Sequence, residues 1–182
     1  MTSSDDREVL EATAELVRCS WELLGEAEVR PPLRTDQITR LLLRTRTQLH
    51  EYPFQSGAVG MAIPWAGGAE HAILIDSAAS RADYQFTIRH ELAHVLAGEV
   101  STALFLSAAD SMSFSERRAD LYAVSDLVPA WLVRQLQGGR RPWAHLRLEV
   151  QQAFRELTVG WSEERLRDRA GLRVALYRTA GM

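Results

Sequence analysis

The sequence predicts an α+β fold, a mainly helical domain with a small antiparallel sheet packed on one helix. Three observations predict it. Long stretches towards both ends repeat apolar residues at three- and four-residue steps, as amphipathic helices do. Two short apolar runs, 58–63 and 71–76, flank a connection containing Pro64, Gly67 and Gly68, the pattern of a β-hairpin. That hairpin arrives directly before a third helical segment, 86–98, so its strands are expected to pack on it.

The elements follow in order. Residues 5–25 carry Val9, Leu10, Ala14, Leu16, Val17, Trp21 and Leu24 on a broad apolar stripe, and Gly25 ends the helix. Pro31-Pro32 marks a linker. Thr35-Asp36 is placed to cap a second helix over 36–50, with Ile38, Leu41, Leu42 and Leu49 facing inward. Residues 52–57 break that pattern before the hairpin. In 86–98, Phe86, Ala93, Leu96 and Ala97 form the inward side. Gly98 is a stop, and Asp83 either caps this helix or favours its positive end. Small residues without periodicity make 99–114 a loop or crossing. Ser115 begins a helix through about Asp126, and Pro129 opens another carrying Trp131, Leu132, Val133 and Leu136. Residues 142–157 form a further helix, and after the Thr158-Val159-Gly160 turn Ser162 caps a last one.

The chain of 182 residues is expected to be a single domain, with a core at 58–130, N-terminal helices at 1–50 and C-terminal helices at 131–182. Its one cysteine, Cys19, excludes a disulfide framework and a Cys-rich zinc ribbon. The first residues lack the features of a signal peptide, and no apolar run reaches membrane-spanning length, so a cytoplasmic location is expected. All 21 basic residues are arginine. Residues 1–129 hold 11 Arg against 19 Asp and Glu, whereas 130–182 hold 10 against 5. A solvated Arg-rich helical surface accounts for the basic end better than a nucleic-acid face does.

The chemistry concentrates at His90-Glu91-x-x-His94. On a helix, residues four apart share a face one turn apart, so both imidazoles can reach one metal ion. Glu91 sits one position round, where its carboxylate can meet a water beside the ion without being a ligand. With 5 His and 15 Glu among 182 residues, roughly 0.01 accidental matches to this pattern are expected. The motif is therefore read as a zinc site. Other transition metals also accept imidazole, so Zn2+ is a preference drawn from ligand type.

Two histidines leave a catalytic zinc site short of its usual three protein ligands. No further histidine follows before His145. Glu116 is the best-placed third ligand, with Asp110 and Glu99 as fallbacks. Asp120 lies four residues after Glu116 on the same helical face, placed to accept a hydrogen bond from the outer nitrogen of a ligand histidine.

Three stretches together resemble the ImmA/IrrE metallopeptidase family: FTIRHELAH at 86–94, ERRADLYA at 116–123 and LVP at 127–129. Family members typically show an FTxxHELxH helix, an ExxANxFA helix and an LxP after it. The Ile-Leu-Ile run at 73–75 also falls where the family has a strand. The resemblance covers roughly residues 58–130. Asp120 stands where Asn is usual and Tyr122 where Phe is usual; neither breaks the catalytic set. The resemblance implies a gluzincin-like, zincin-like fold with His90, His94 and Glu116 as ligands and Glu91 as base. It also implies a peptidase acting on helix-turn-helix repressors. No repressor domain is recognisable in this chain, so such a substrate would be a separate protein.

The expected reaction is hydrolysis of a peptide bond, with Glu91 as proton acceptor and then donor. A substrate strand is expected to add to an edge of the 58–76 hairpin. Tyr84, Tyr122, His71 and Arg89 are the candidate donors to the oxyanion. Trp65 serves either packing or substrate contact. Two other readings remain: a zinc-fold regulatory binding protein without turnover, and a DNA-associated regulator using the basic C-terminal part. Direct nucleic-acid binding is disfavoured by the overall net charge of −3, and no membrane partner is expected.

Overall fold

A computed structural model describes residues 4–25, 33–55, 58–65, 70–100 and 113–127. Over these residues the fold is α+β. The elements are four helices, α1 (Ser4–Leu24), α2 (Thr35–Arg44), α3 (Arg81–Leu96) and α4 (Phe114–Leu127), and three strands, β1 (Thr47–Tyr52), β2 (Gly60–Trp65) and β3 (Glu70–Asp76). The expected helices beyond residue 128, and most of the 99–114 connection, lie outside the described residues.

The sheet has the order β1-β3-β2. The expected hairpin is present, with β2 antiparallel to β3 and Ala62 opposite Ile73. The sheet is nevertheless mixed, because β1 joins β3 in parallel, Leu49 opposite Ile73. This strand corrects the expectation of one helix over 36–50. The helix stops at Arg44, Thr45 is its C-cap, and Arg46 takes a left-handed φ of 53°. Thr45 turns its hydroxyl onto the Leu41 carbonyl at 2.8 Å and meets Thr47 at 2.8 Å. Local side-chain bonds of this kind compete with helix continuation. Leu49 still packs against the core as expected, but from a strand.

The main core lies between the sheet and two helices. Leu49, Ala62, Ile73 and Ile75 pack with Ile38, Leu41 and Leu42 of α2 and with Ile88 and Leu92 of α3. On its other side, α3 meets α1 and α4 through Leu16, Ala93, Ala119 and Tyr122. The two alanines let α3 and α4 approach closely. The helix carrying the histidines is thus clamped between a sheet and a helical pair.

Two local features fix the ends and seat of α3. Ser80, rather than Asp83, is its N-cap: the Asp83 N–H donates to Ser80 Oγ at 3.2 Å, while Asp83 occupies the first turn. At the other end Gly98 adopts φ +68°, and the Glu99 N–H returns to the His94 carbonyl at 3.0 Å. Gly60 sets the approach of β2 to this helix. A Cβ there would fall 2.2 Å from Thr87 Cγ2 and 2.9 Å from the Leu74 carbonyl oxygen. Only glycine lets the strand lie this close. Among the described residues, no helix is long and apolar enough to cross a membrane.

Candidate metal centre

α3 and α4 present the same spacing to each other. His90 and His94 are one turn apart on α3, and Glu116 and Asp120 are one turn apart on α4. The close helix contact turns these four residues into a ladder. His90 Nε2 lies 3.1 Å from Glu116 Oε2, and His94 Nε2 lies 3.4 Å from Glu116 Oε1. The two Nε2 atoms are 3.2 Å apart. Behind them, His90 Nδ1 is 3.0 Å from Asp120 Oδ1.

His90, His94 and Glu116 therefore form a cluster that could hold a metal ion, with one ligand atom from each residue within 4.8 Å of the others. The geometry fits. Bonds of about 2.0–2.1 Å to a tetrahedral ion place its donors roughly 3.4 Å apart. The donor chemistry fits too. Ionised Asp120 only accepts, so His90 Nδ1 carries a proton, and it is Nε2 that becomes a ligand once the ring's second proton leaves. Nε2 faces another imidazole nitrogen and a carboxylate, an arrangement that calls for a cation, either a proton or a metal ion.

The protonation balance shows the same demand. Burial lowers the His90 pKa, but hydrogen bonds to Asp120 and Glu116 outweigh it and raise the pKa to about 10. Hydrogen bonds from His90 and His94 hold the Glu116 carboxyl well below the usual range. Glu91 behaves differently. It is 8 % exposed, and burial raises its pKa against the lowering effects of His90, His94 and the Ala62 backbone N–H. A carboxylate shifted upward in this way is a better proton acceptor near neutral pH.

Glu99 is not part of the ligand cluster. It lies on the outer side of His94, 3.8 Å from Nδ1. Its carboxylate accepts from Ser115 Oγ and pairs with Arg118. Burial works against its charge, but Ser115 and Arg118 hold its pKa below the ordinary value. Asp110 lies outside the described residues.

Of the four candidate oxyanion donors, Arg89 and Tyr122 are buried in contacts of their own. Arg89 is buried against Asp126 and also donates to the Leu33 carbonyl at 3.0 Å and the Gln85 carbonyl at 3.0 Å. Tyr122 is buried, its hydroxyl 2.6 Å from Ser20 Oγ of α1. Tyr84 packs on the sheet-facing core. His71 Nδ1 lies 3.4 Å from the Thr45 carbonyl oxygen. Trp65 is partly exposed and stands 5.9 Å from the His50 ring.

Sequence reasoning missed Ser115 and Asp126. Ser115 precedes the proposed ligand by one residue and touches His94 Nδ1 at 3.2 Å. Asp126 falls ten residues after Glu116, near the end of α4, and a buried acid there has no signature in sequence. Compared with known protein families, curated proteins and solved structures, the chain gives no match, so the site is characterised by its own geometry.

Proposed function

We propose that this protein is a zinc-dependent endopeptidase acting on a separate protein, as the resemblance to the ImmA/IrrE family implies. One observation carries the reading: the acceptor atoms of His90, His94 and Glu116 converge, and a buried Glu91 with a raised pKa stands on the same helix. Two imidazoles and a carboxylate make the donor set of catalytic zinc, which keeps a further position for water or substrate. Bound there, zinc would polarise the scissile carbonyl and acidify a water.

The chain's own residues do the rest. Glu91 accepts the proton of the attacking water and delivers it to the leaving nitrogen. Burial keeps this carboxylate out of bulk solvent, and the Ala62 N–H orients it. Asp120 holds His90 with Nε2 forward. Among the described residues β2 is an edge strand, open to an extended substrate. The Asp76 N–H donates to the Val59 carbonyl at 2.8 Å, so in this register Gly60, Ala62 and Pro64 direct their backbone groups away from β3. The Ala62 N–H meets Glu91 and Pro64 has none, which leaves the Gly60 N–H and the carbonyls for a substrate. Backbone pairing there would lay a peptide beside the metal cluster. A helix-turn-helix repressor with an extended, accessible segment is the substrate class this reading favours.

The test pairs wild type with Glu91→Gln on helix-turn-helix repressors, following cleavage by intact mass. Both proteins should bind zinc equally, and the variant should cleave about 10²–10⁴-fold more slowly. Equal regulatory effect from both proteins, without cleavage, would replace the peptidase reading with that of a zinc-fold binding protein.

A further inference from the structure

The two histidines are braced by different chemistry. Behind His90 stands a single carboxylate, Asp120. Behind His94 stands a hydroxyl: Ser115 Oγ lies 3.2 Å from His94 Nδ1 and also contacts Glu99 Oε2. Arg118 closes on the same Glu99 oxygen in an ion pair rather than an aligned hydrogen bond. The Arg118 guanidinium also lies over the Phe114 ring, 5.6 Å from its centroid.

Donor and acceptor rules give this chain of contacts one direction. An ionised carboxylate only accepts, so the Ser115 hydroxyl must donate its one proton to Glu99. Its remaining lone pairs can then only accept, and the group facing them is His94 Nδ1. That nitrogen must carry a proton, so in the neutral ring the lone pair is on Nε2, on the side of His90 and Glu116.

We propose that Ser115, Glu99 and Arg118 are positioning residues that lock His94 in its Nδ1–H tautomer and aim Nε2 at the metal. The proposal rests on the metal-site reading and extends it to residues that are not ligands. Ser115 sits beside Glu116 in sequence, so α4 supplies both a ligand and the brace for the opposite histidine. Glu99 follows the Gly98 stop of α3, whose left-handed turn brings its carboxylate round to Ser115.

The experiment uses the full chain as wild type, Ser115→Ala, Ser115→Thr and Glu99→Gln. Histidine ring ¹⁵N shifts of the metal-free proteins, at a pH where His94 is neutral, report its tautomer. Competition with a chromophoric chelator reports affinity for Zn2+ and Co2+, and Co2+ absorption reports ligand geometry. Wild type should show the Nδ1–H form at His94. Ser115→Ala should shift His94 towards the Nε2–H form and weaken metal binding by about tenfold, the low end of what loss of such a partner does. Ser115→Thr, which keeps the hydroxyl, should restore both. Glu99→Gln should weaken the tautomer preference with the Ser115 hydroxyl still present. An unchanged His94 tautomer and unchanged affinity in Ser115→Ala would overturn the proposal. A wild type that binds neither metal but still shows the Ser115-dependent tautomer would overturn the metal reading while leaving the relay intact.

Discussion

The α3–α4 interface contains two polar clusters, one complete and one that calls for a cation. In the first, Arg89 and Asp126 are almost fully buried, with side chains 3 % and 7 % exposed. Their hydrogen-bonding capacity is taken up within the protein. Asp126 accepts from Arg89 and from the Leu33 N–H at 2.8 Å, and Arg89 donates to two backbone carbonyls and to Gln85 Oε1. In the second, whose His90 directly follows Arg89 on α3, His90, His94 and Glu116 come together, and Glu116 keeps its side chain 50 % exposed. A donor-matched buried pair fixes how two helices lie. An acceptor-rich cluster at the accessible end of the same pair is built to take a positive charge. The first holds the register that the second requires.

This contrast can be broken from either side. The largest effect is expected at the complete cluster. Asp126→Ala would leave Arg89 buried without its partner and should cost about 3–5 kcal/mol in denaturant unfolding. Whatever fraction folds should still bind metal. The seat of α3 comes next. Gly60→Ala forces β2 away from Thr87 and should destabilise by about 1–3 kcal/mol, through overpacking. It should also slow any cleavage, because Ala62 moves off Glu91. Asp120→Ala should weaken metal binding by about 10–100-fold and should also destabilise the metal-free protein near neutral pH, because it removes the strongest contact that raises the His90 pKa. The smallest effect is expected for Glu116→Ala without metal, at most about 1 kcal/mol, because the carboxylate is half exposed and solvent screens it.

Proton and metal compete at the second cluster, which separates it further from the first. The His90 pKa is raised from 6.5 to about 10. Its protonation therefore stabilises the metal-free fold fully below pH 6.5, and that contribution is lost as pH climbs towards 10. Metal affinity should move the opposite way, rising over the same window as the proton leaves. Unfolding and chelator competition across pH 6–10 should show these opposite slopes.

The part of the fold legible in sequence is the part governed by local period. The helices α1, α3 and α4 and the β2–β3 hairpin follow from apolar spacing, glycine stops and turn residues. β1 was hidden because Ile38, Leu41, Leu42 and Leu49 fit a helical stripe. The break at Thr45–Arg46 depends on hydroxyl contacts and a left-handed residue that spacing cannot reveal. At the site, His90, His94, Glu116 and Asp120 come together because each pair repeats at one helical turn. The relay at Ser115 and Glu99 was obscure, since it joins a residue after a helix stop to one at the start of another helix. Burial was hidden for a related reason. Arg89 and Tyr122 read as polar groups near a site, but tertiary contacts bury both.

The most direct test is metal content and affinity of purified wild type beside Glu116→Ala. The account predicts one zinc per wild-type chain, and loss of binding in the variant beyond the roughly 100-fold that removal of an outer partner alone causes. Zinc held equally by both proteins would contradict the three-residue cluster, and a wild type that takes up no divalent ion would contradict the metal site altogether.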